Sequence, residues 1–286
     1  MAKYKAPSKK IHRGFIYLDD ETVINSLSAV EAGKIDEVVA KVNLAREGGV
    51  AATLGVGPAK LDGGKKGTSE FEEEMVRTRT RFSVFELWYQ SLVDGKALGT
   101  FEGWGPGVLD GVESGDTIEF RADCEVAPIE TLLRTFLWFA EKAKSSGHFF
   151  SQKGDELKET KEGERNIRAL LEGNGDQVVV LARPLGDPGP TVGMSIKREW
   201  LIGTLGRLGG EYTVVGQVDR LIGDNEEFPA MRLTQDVAPS GVEIESMKAA
   251  LAVFEESAAT LNIEISGNQA TIKGPALWIE PIAIYR

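Results

Sequence analysis

The chain closes on G-P-A-L-W-I-E-P-I-A-I-Y-R, residues Gly274 to Arg286, and no other stretch limits the fold as strongly. Chain ends ordinarily fray. Here Leu277, Trp278, Ile279, Ile282, Ile284 and Tyr285 follow one another with Glu280 as the single acid. Withdrawing each large apolar side chain from water stabilises a fold by roughly 1.5–3 kcal/mol. The segment is therefore expected to be a strand buried in the core, and it says nothing about chemistry.

Upstream, strands and helices arrive in groups and not in strict alternation. That predicts an α+β protein with mixed or antiparallel sheets and several amphipathic helices. Phe15-Ile-Tyr-Leu18 reads as a short strand, followed by a helix over Glu21–Val30 with Asp20 as its N-cap. Ser69 to Leu92 reads as a long helix, opened by Ser69 and Glu72 at capping-box spacing. Ile118, Phe120, Ala122 and Cys124 alternate along a strand. Pro128 opens a second strong helix that runs to about Ser145. Later segments read as a short helix over Glu164–Leu171 and strands at Gln177–Ala182, Ser195–Leu201, Glu211–Ile222 and Met231–Leu233. A helix over Glu243–Leu261 and strands at Ile263–Ser266 and Gln269–Lys273 precede the terminal strand. The organisation expected is a disordered basic arm over residues 1–14, then α+β domains over 15–145 and 164–286. The polar, glycine-bearing stretch 146–163 would join them.

Charge and composition exclude several classes of function. The net charge is −11, and Lys3, Lys5, Lys9, Lys10 and Arg13 sit in the basic arm, so the rest is more acidic still. Such a body repels phosphate backbones, which argues against nucleic-acid partners. The one cysteine, Cys124, excludes an intramolecular disulfide and any multi-cysteine metal cluster. The chain has two histidines, His12 and His148, too few for a histidine-rich zinc centre. With no signal-peptide pattern and no apolar run of membrane-spanning length, a cytoplasmic protein without a membrane partner is expected.

Few motifs carry chemistry. Asp19 and Asp20 follow a strand, where carboxylates can hold Mg²⁺ or Mn²⁺ through oxygen ligands. A helix cap at Asp20, with Asp19 and Glu21 as favourable charges at the helix dipole, accounts for all of these residues without a metal. Residues 55–68 hold five glycines and three lysines, with Lys65 and Lys66 adjacent. A phosphate-binding P-loop fails there, because Ala59 stands where glycine is needed and Lys66 where serine or threonine is needed. As a lysine-bearing loop it could still meet an anion. Trp104, in F-E-G-W-G-P-G, admits two readings: an exposed aromatic anchor or a plug on the core. Trp88 and Tyr89, on the long helix, are candidate interface residues, including for self-association.

Three stretches together carry a resemblance. Phe15–Gly33, Tyr212–Ile222 and the closing G-P-A-L-W-I-E-P-I-A-I-Y are similar to a family of uncharacterised bacterial and archaeal proteins. Those proteins share a Y-L-D opening segment and a G-P-A-x-x-x-x-P-I-A-I-Y closing strand. The resemblance implies a prokaryotic, cytosolic, full-length unit and transfers no catalytic residue.

The scarcity of nucleophile–base pairs and metal-ligand motifs favours a binding or adaptor protein that recognises a protein or small ligand without a cofactor. The alternative is a Mg²⁺- or Mn²⁺-dependent hydrolase or phosphotransferase built on Asp19 and Asp20.

Overall fold

A computed structural model of the chain describes residues 13–30, 81–175, 177–186, 189–234, 236, 238–259 and 271–286. The protein is α+β. It divides into two compact units, Asp19–Ala97 and the remainder, Met1–Leu18 with Leu98–Arg286. The basic arm before Arg13, the 55–68 loop with Lys65 and Lys66, and the expected strand at 263–266 lie outside the described residues.

In the smaller unit, helix α1 (Asp20–Val30) packs against helix α2 (Arg81–Asp94). Val23, Ile24 and Leu27 are buried on α1; Val84, Phe85 and Trp88 are buried on α2. The cap of α1 is Asp19, one residue before the expected Asp20. Its Oδ1 accepts the Thr22 N–H at 2.9 Å and its Oδ2 accepts the Thr22 hydroxyl at 2.7 Å.

The larger unit is organised by a ring of five strands: β3 (Thr117–Val126), β4 (Gln177–Pro184), β5 (Thr191–Lys197), β6 (Gly210–Ile222) and β9 (Ala276–Tyr285). Strand β3 pairs antiparallel with both β4 and β6, and β4 pairs antiparallel with β5. The circuit closes because β9 runs parallel to β5 and antiparallel to β6. Outside the ring, β1 (Phe15–Leu18) extends the β5 side of β9, along Ala283–Tyr285, and the two-residue β2 (Gly99–Thr100) lies beside β3. The ring therefore draws strands from both sides of the expected boundary at 146–163.

Period-two alternation fills the inside of the ring with Ile118, Phe120, Ala122 and Cys124 of β3, Val178, Val180 and Ala182 of β4, and Leu277 and Ile279 of β9. A second core lies on the outer faces of β4 and β9, where Val179, Ala276 and Trp278 meet three helices. These are α3 (Pro128–Ala143), α4 (Gly154–Gly173) and α5 (Gly241–Ala259). The short ribbon of β7 (Glu227–Pro229) and β8 (Thr271–Lys273) completes this layer. Strand β4 is apolar on both faces because both faces are covered. Trp278 lies directly over Gly193: a Cβ there would come within 2.7 Å of the indole and 2.3 Å of Ile272 Cδ1.

Three expectations change in detail. Helix α4 begins at Gly154, inside the expected linker, and includes Gly163, where a Cβ would lie 3.1 Å from the Phe136 ring of α3. Strand β5 stops at Lys197, and Arg198–Trp200 form a 3-10 turn. Met231–Leu233 is not a strand. Its amides are taken by side chains instead, Arg232 N–H by Asn174 Oδ1 at 2.9 Å and Leu233 N–H by Glu243 Oε1 at 2.8 Å.

Two predictions follow from the ring. Deleting Trp278–Arg286 removes the partner of β1, β5 and β6, and the product should be insoluble or lack a cooperative thermal transition. Gly193→Ala should lower stability by about 1–3 kcal/mol through overpacking, read by urea denaturation.

Candidate functional site

Among the described residues, helix α3 builds a surface that combines apolar and polar groups. Ile129, Leu133, Phe136 and Ala140 turn inward to the second core. The opposite stripe, Thr131, Arg134, Thr135 and Trp138, has i, i+3, i+4, i+7 spacing and so shares one face. It forms one wall of an open groove of about 650 Å³, whose other side is the end of β3 and the 3-10 turn Leu205–Arg207. Val126, Leu205, Leu208 and Trp138 give the groove its apolar surface; Thr131, Thr135, Glu125 and Arg134 give it polar groups.

Arg134 also lines a second cavity, of about 450 Å³ and as open to solvent as the groove, together with Arg168 of α4 and Arg198 of the 3-10 turn after β5. Carboxylates on α3 and α4 hold the guanidinium groups of Arg134 and Arg168. Glu130 Oε1 accepts Arg134 Nε–H at 2.6 Å and also meets an NH2 group of the same side chain. Glu164 Oε1 accepts Arg168 Nε–H at 3.1 Å and a second Arg168 donor at 2.9 Å, while Lys144 bonds the same carboxylate. Glu164 is held below the ordinary carboxylate range, first by the Lys144 hydrogen bond, with Arg168 assisting against burial.

Glu130 is fully enclosed, and its Oε2 has no hydrogen-bond partner among the described residues. Burial pushes its carboxyl above the ordinary value of 4.5; Arg134 chiefly, and Arg198, pull the other way. This acid was present in the sequence as a polar intruder on the buried side of an amphipathic helix. Arg134, Arg168 and Arg198 left no such signal, because their meeting depends on three separate elements.

Beside the groove lies an exposed aromatic cluster. Trp138 is 48% exposed and Phe149 92%, and rings of Trp138, Phe139, Phe149 and Phe150 touch edge to face at 4.9–6.1 Å. His148 stacks on Phe150, and its Nδ1 accepts the Phe150 N–H at 3.3 Å.

The residues expected from the sequence are placed elsewhere. Trp104 is a core plug: it is 6% exposed, stacks on Phe120, and donates Nε1–H to Pro190 O at 2.8 Å. Trp88 is buried in the smaller unit, and Tyr89 stacks on Phe85. Asp19 is engaged with Thr22, and Asp20 is the first residue of α1. Among the described residues no group of three His, Cys, Asp or Glu side chains is gathered to hold a metal ion. Cys124 is fully buried, and burial, with Asp123 beside it, pushes its thiol up to about 12.

Three outcomes are expected. Native protein at pH 8 should leave Cys124 unmodified by a thiol reagent, and urea should expose it to full reaction. Arg134→Gln strips a buried carboxylate of its nearest cation and should destabilise by about 3–5 kcal/mol. Glu130→Gln tests the sign of the Glu130 shift. A carboxyl whose folded value is raised stabilises the fold below its unfolded value near 4.5, and that contribution is lost as pH rises through the folded value. The stability of Glu130→Gln relative to the native chain should therefore improve as pH rises above about 4.5, measured by urea melts at several pH values.

No curated protein and no solved structure matches this chain. A family model does match, over residues 12–285, and its description is a domain of unknown function. Since that match takes in nearly every residue from before β1 to the last strand, the chain belongs to the DUF6414 family.

Proposed function

We propose that this chain is a binding protein of the prokaryotic cytoplasm whose ligand lies in the groove along α3. The observation that carries this reading is the arrangement on that helix: an apolar floor, two threonine hydroxyls, and Arg134 anchored by a buried carboxylate. Ligand sites commonly combine an apolar lining with a few fixed polar groups. An exposed tryptophan and phenylalanine next to such a groove add contact surface for a ligand or for a protein that brings it.

The same geometry argues against two other readings. Five-stranded barrels of the OB type commonly present the outer face of their second and third strands to oligonucleotides. In this ring the corresponding face of β4 and β5 carries Val179 and Gly193 beneath the second core, Ile272 and Trp278. That covering and the acidic charge both weigh against nucleic acid. For the hydrolase alternative, the carboxylate of Asp19 is committed to capping α1.

The test is a thermal-shift screen of small ligands against the full chain and against Thr135→Trp, which fills the groove at an exposed position. A compound at a hundredfold over its dissociation constant adds about 2.7 kcal/mol and should raise the midpoint by a few degrees. That shift should vanish in Thr135→Trp. Hits that persist in the filled variant, or no hit at all, would overturn the groove as the binding site.

A further inference from the structure

We propose that the cavity next to the groove is an oxyanion site, in which Arg134, Arg168 and Arg198 receive a carboxylate or phosphate group of the ligand. This rests on the binding reading above and adds the ligand's chemical class. Three guanidinium groups line one small cavity in a chain whose net charge is −11. They come from α3, α4 and the 3-10 turn after β5, so the fold and not a local run of sequence brings them together.

Glu130 and Glu164 offset part of the positive charge gathered there, and an anion placed against the donors they leave open adds to that compensation. A guanidinium carries five N–H donors in a planar fork that suits carboxylate and phosphate oxygens. Glu130 meets Arg134, and Glu164 meets Arg168, through the Nε side of each fork and a single carboxylate oxygen. Those contacts fix the two forks without spending all their donors. The acid in the cavity lining is Glu172, which is exposed.

Because Arg134 lines both spaces, a ligand with its anionic group in the cavity can lay an apolar body into the groove toward Trp138. The ligand class is thus a small amphipathic acid. Carboxylate and phosphate present the same chemistry to a guanidinium fork, so the experiment separates them.

The full chain is titrated calorimetrically with phenyl phosphate, benzoate, inorganic phosphate and neutral phenol at matched ionic strength. At least one of phenyl phosphate and benzoate should bind about tenfold or more tightly than phenol, and the stronger of the two names the oxyanion. Arg168→Gln, at a half-exposed position, should lose about tenfold in that affinity while melting close to the native chain. Arg198→Gln serves as the second variant should Arg168→Gln fail to fold. Phenol binding as tightly as the anions would remove the oxyanion site and leave the groove. Anion affinity unchanged in the folded arginine variants would overturn the assignment to these residues. No binding by any of the four, together with an empty ligand screen, would remove the groove as well.

Discussion

Everything in the larger unit depends on β9 being hydrogen-bonded along both edges. One edge meets β6 over its full length, and the other is shared between β5 and β1. Without β9 the remaining strands form an open sheet with β5 and β6 at its two ends. Double pairing demands close approach, and Gly216 shows it: a Cβ there would lie 2.8 Å from Glu280 O, beside the irregular register where β6 passes Pro281. The near-unbroken apolar sequence of β9 is the consequence of this position. One face fills the ring and the other lies beneath the second core, so nearly every side chain must be apolar.

That second core explains where the groove lies. Trp278 occupies the space above Gly193 and stacks obliquely on Phe228, which gives the helical layer a firm floor. Helix α3 rests on this layer through Ile129, Leu133 and Phe136, and α4 is drawn close to it at Gly163. With those faces committed inward, the stripe of Thr131, Arg134, Thr135 and Trp138 is left facing out. The enclosed Glu130 then fixes Arg134 between groove and cavity. A buried ion pair of this kind contributes little net stability, since desolvation offsets the attraction. Its consequence is positional: it orients a cation on the rim of two spaces.

The elements that were legible in the sequence share one property, a pattern that local residues complete by themselves. The terminal strand, the alternation of Ile118 to Cys124, and the proline start of α3 all belong to that class. The short strand at Phe15 and the helix after it were equally plain, although the cap fell on Asp19. What failed to show depended on partners distant in sequence. Gly163 fell in the stretch expected to join two domains because its reason, the ring of Phe136, lies on another helix. Met231–Leu233 looked like a strand because apolar residues alternate there, yet Asn174 and Glu243 take the amides a ladder would need. Trp104 could be read either way until Pro190 and Phe120 were seen around it. The arginine cavity was invisible for the same reason, since residues 134, 168 and 198 meet only when α3, α4 and the turn after β5 are assembled.

The most direct measurement of the central claim is native-state hydrogen exchange across the full chain. If β9 closes the ring, the amides of Ala276–Tyr285 should exchange only through global unfolding, with the same protection as β3 and β6. The exposed loop at 147–151 should exchange far faster. Protection in β9 that falls well below that of β3, or that disappears while β3 and β6 stay protected, would contradict a fold that depends on this strand.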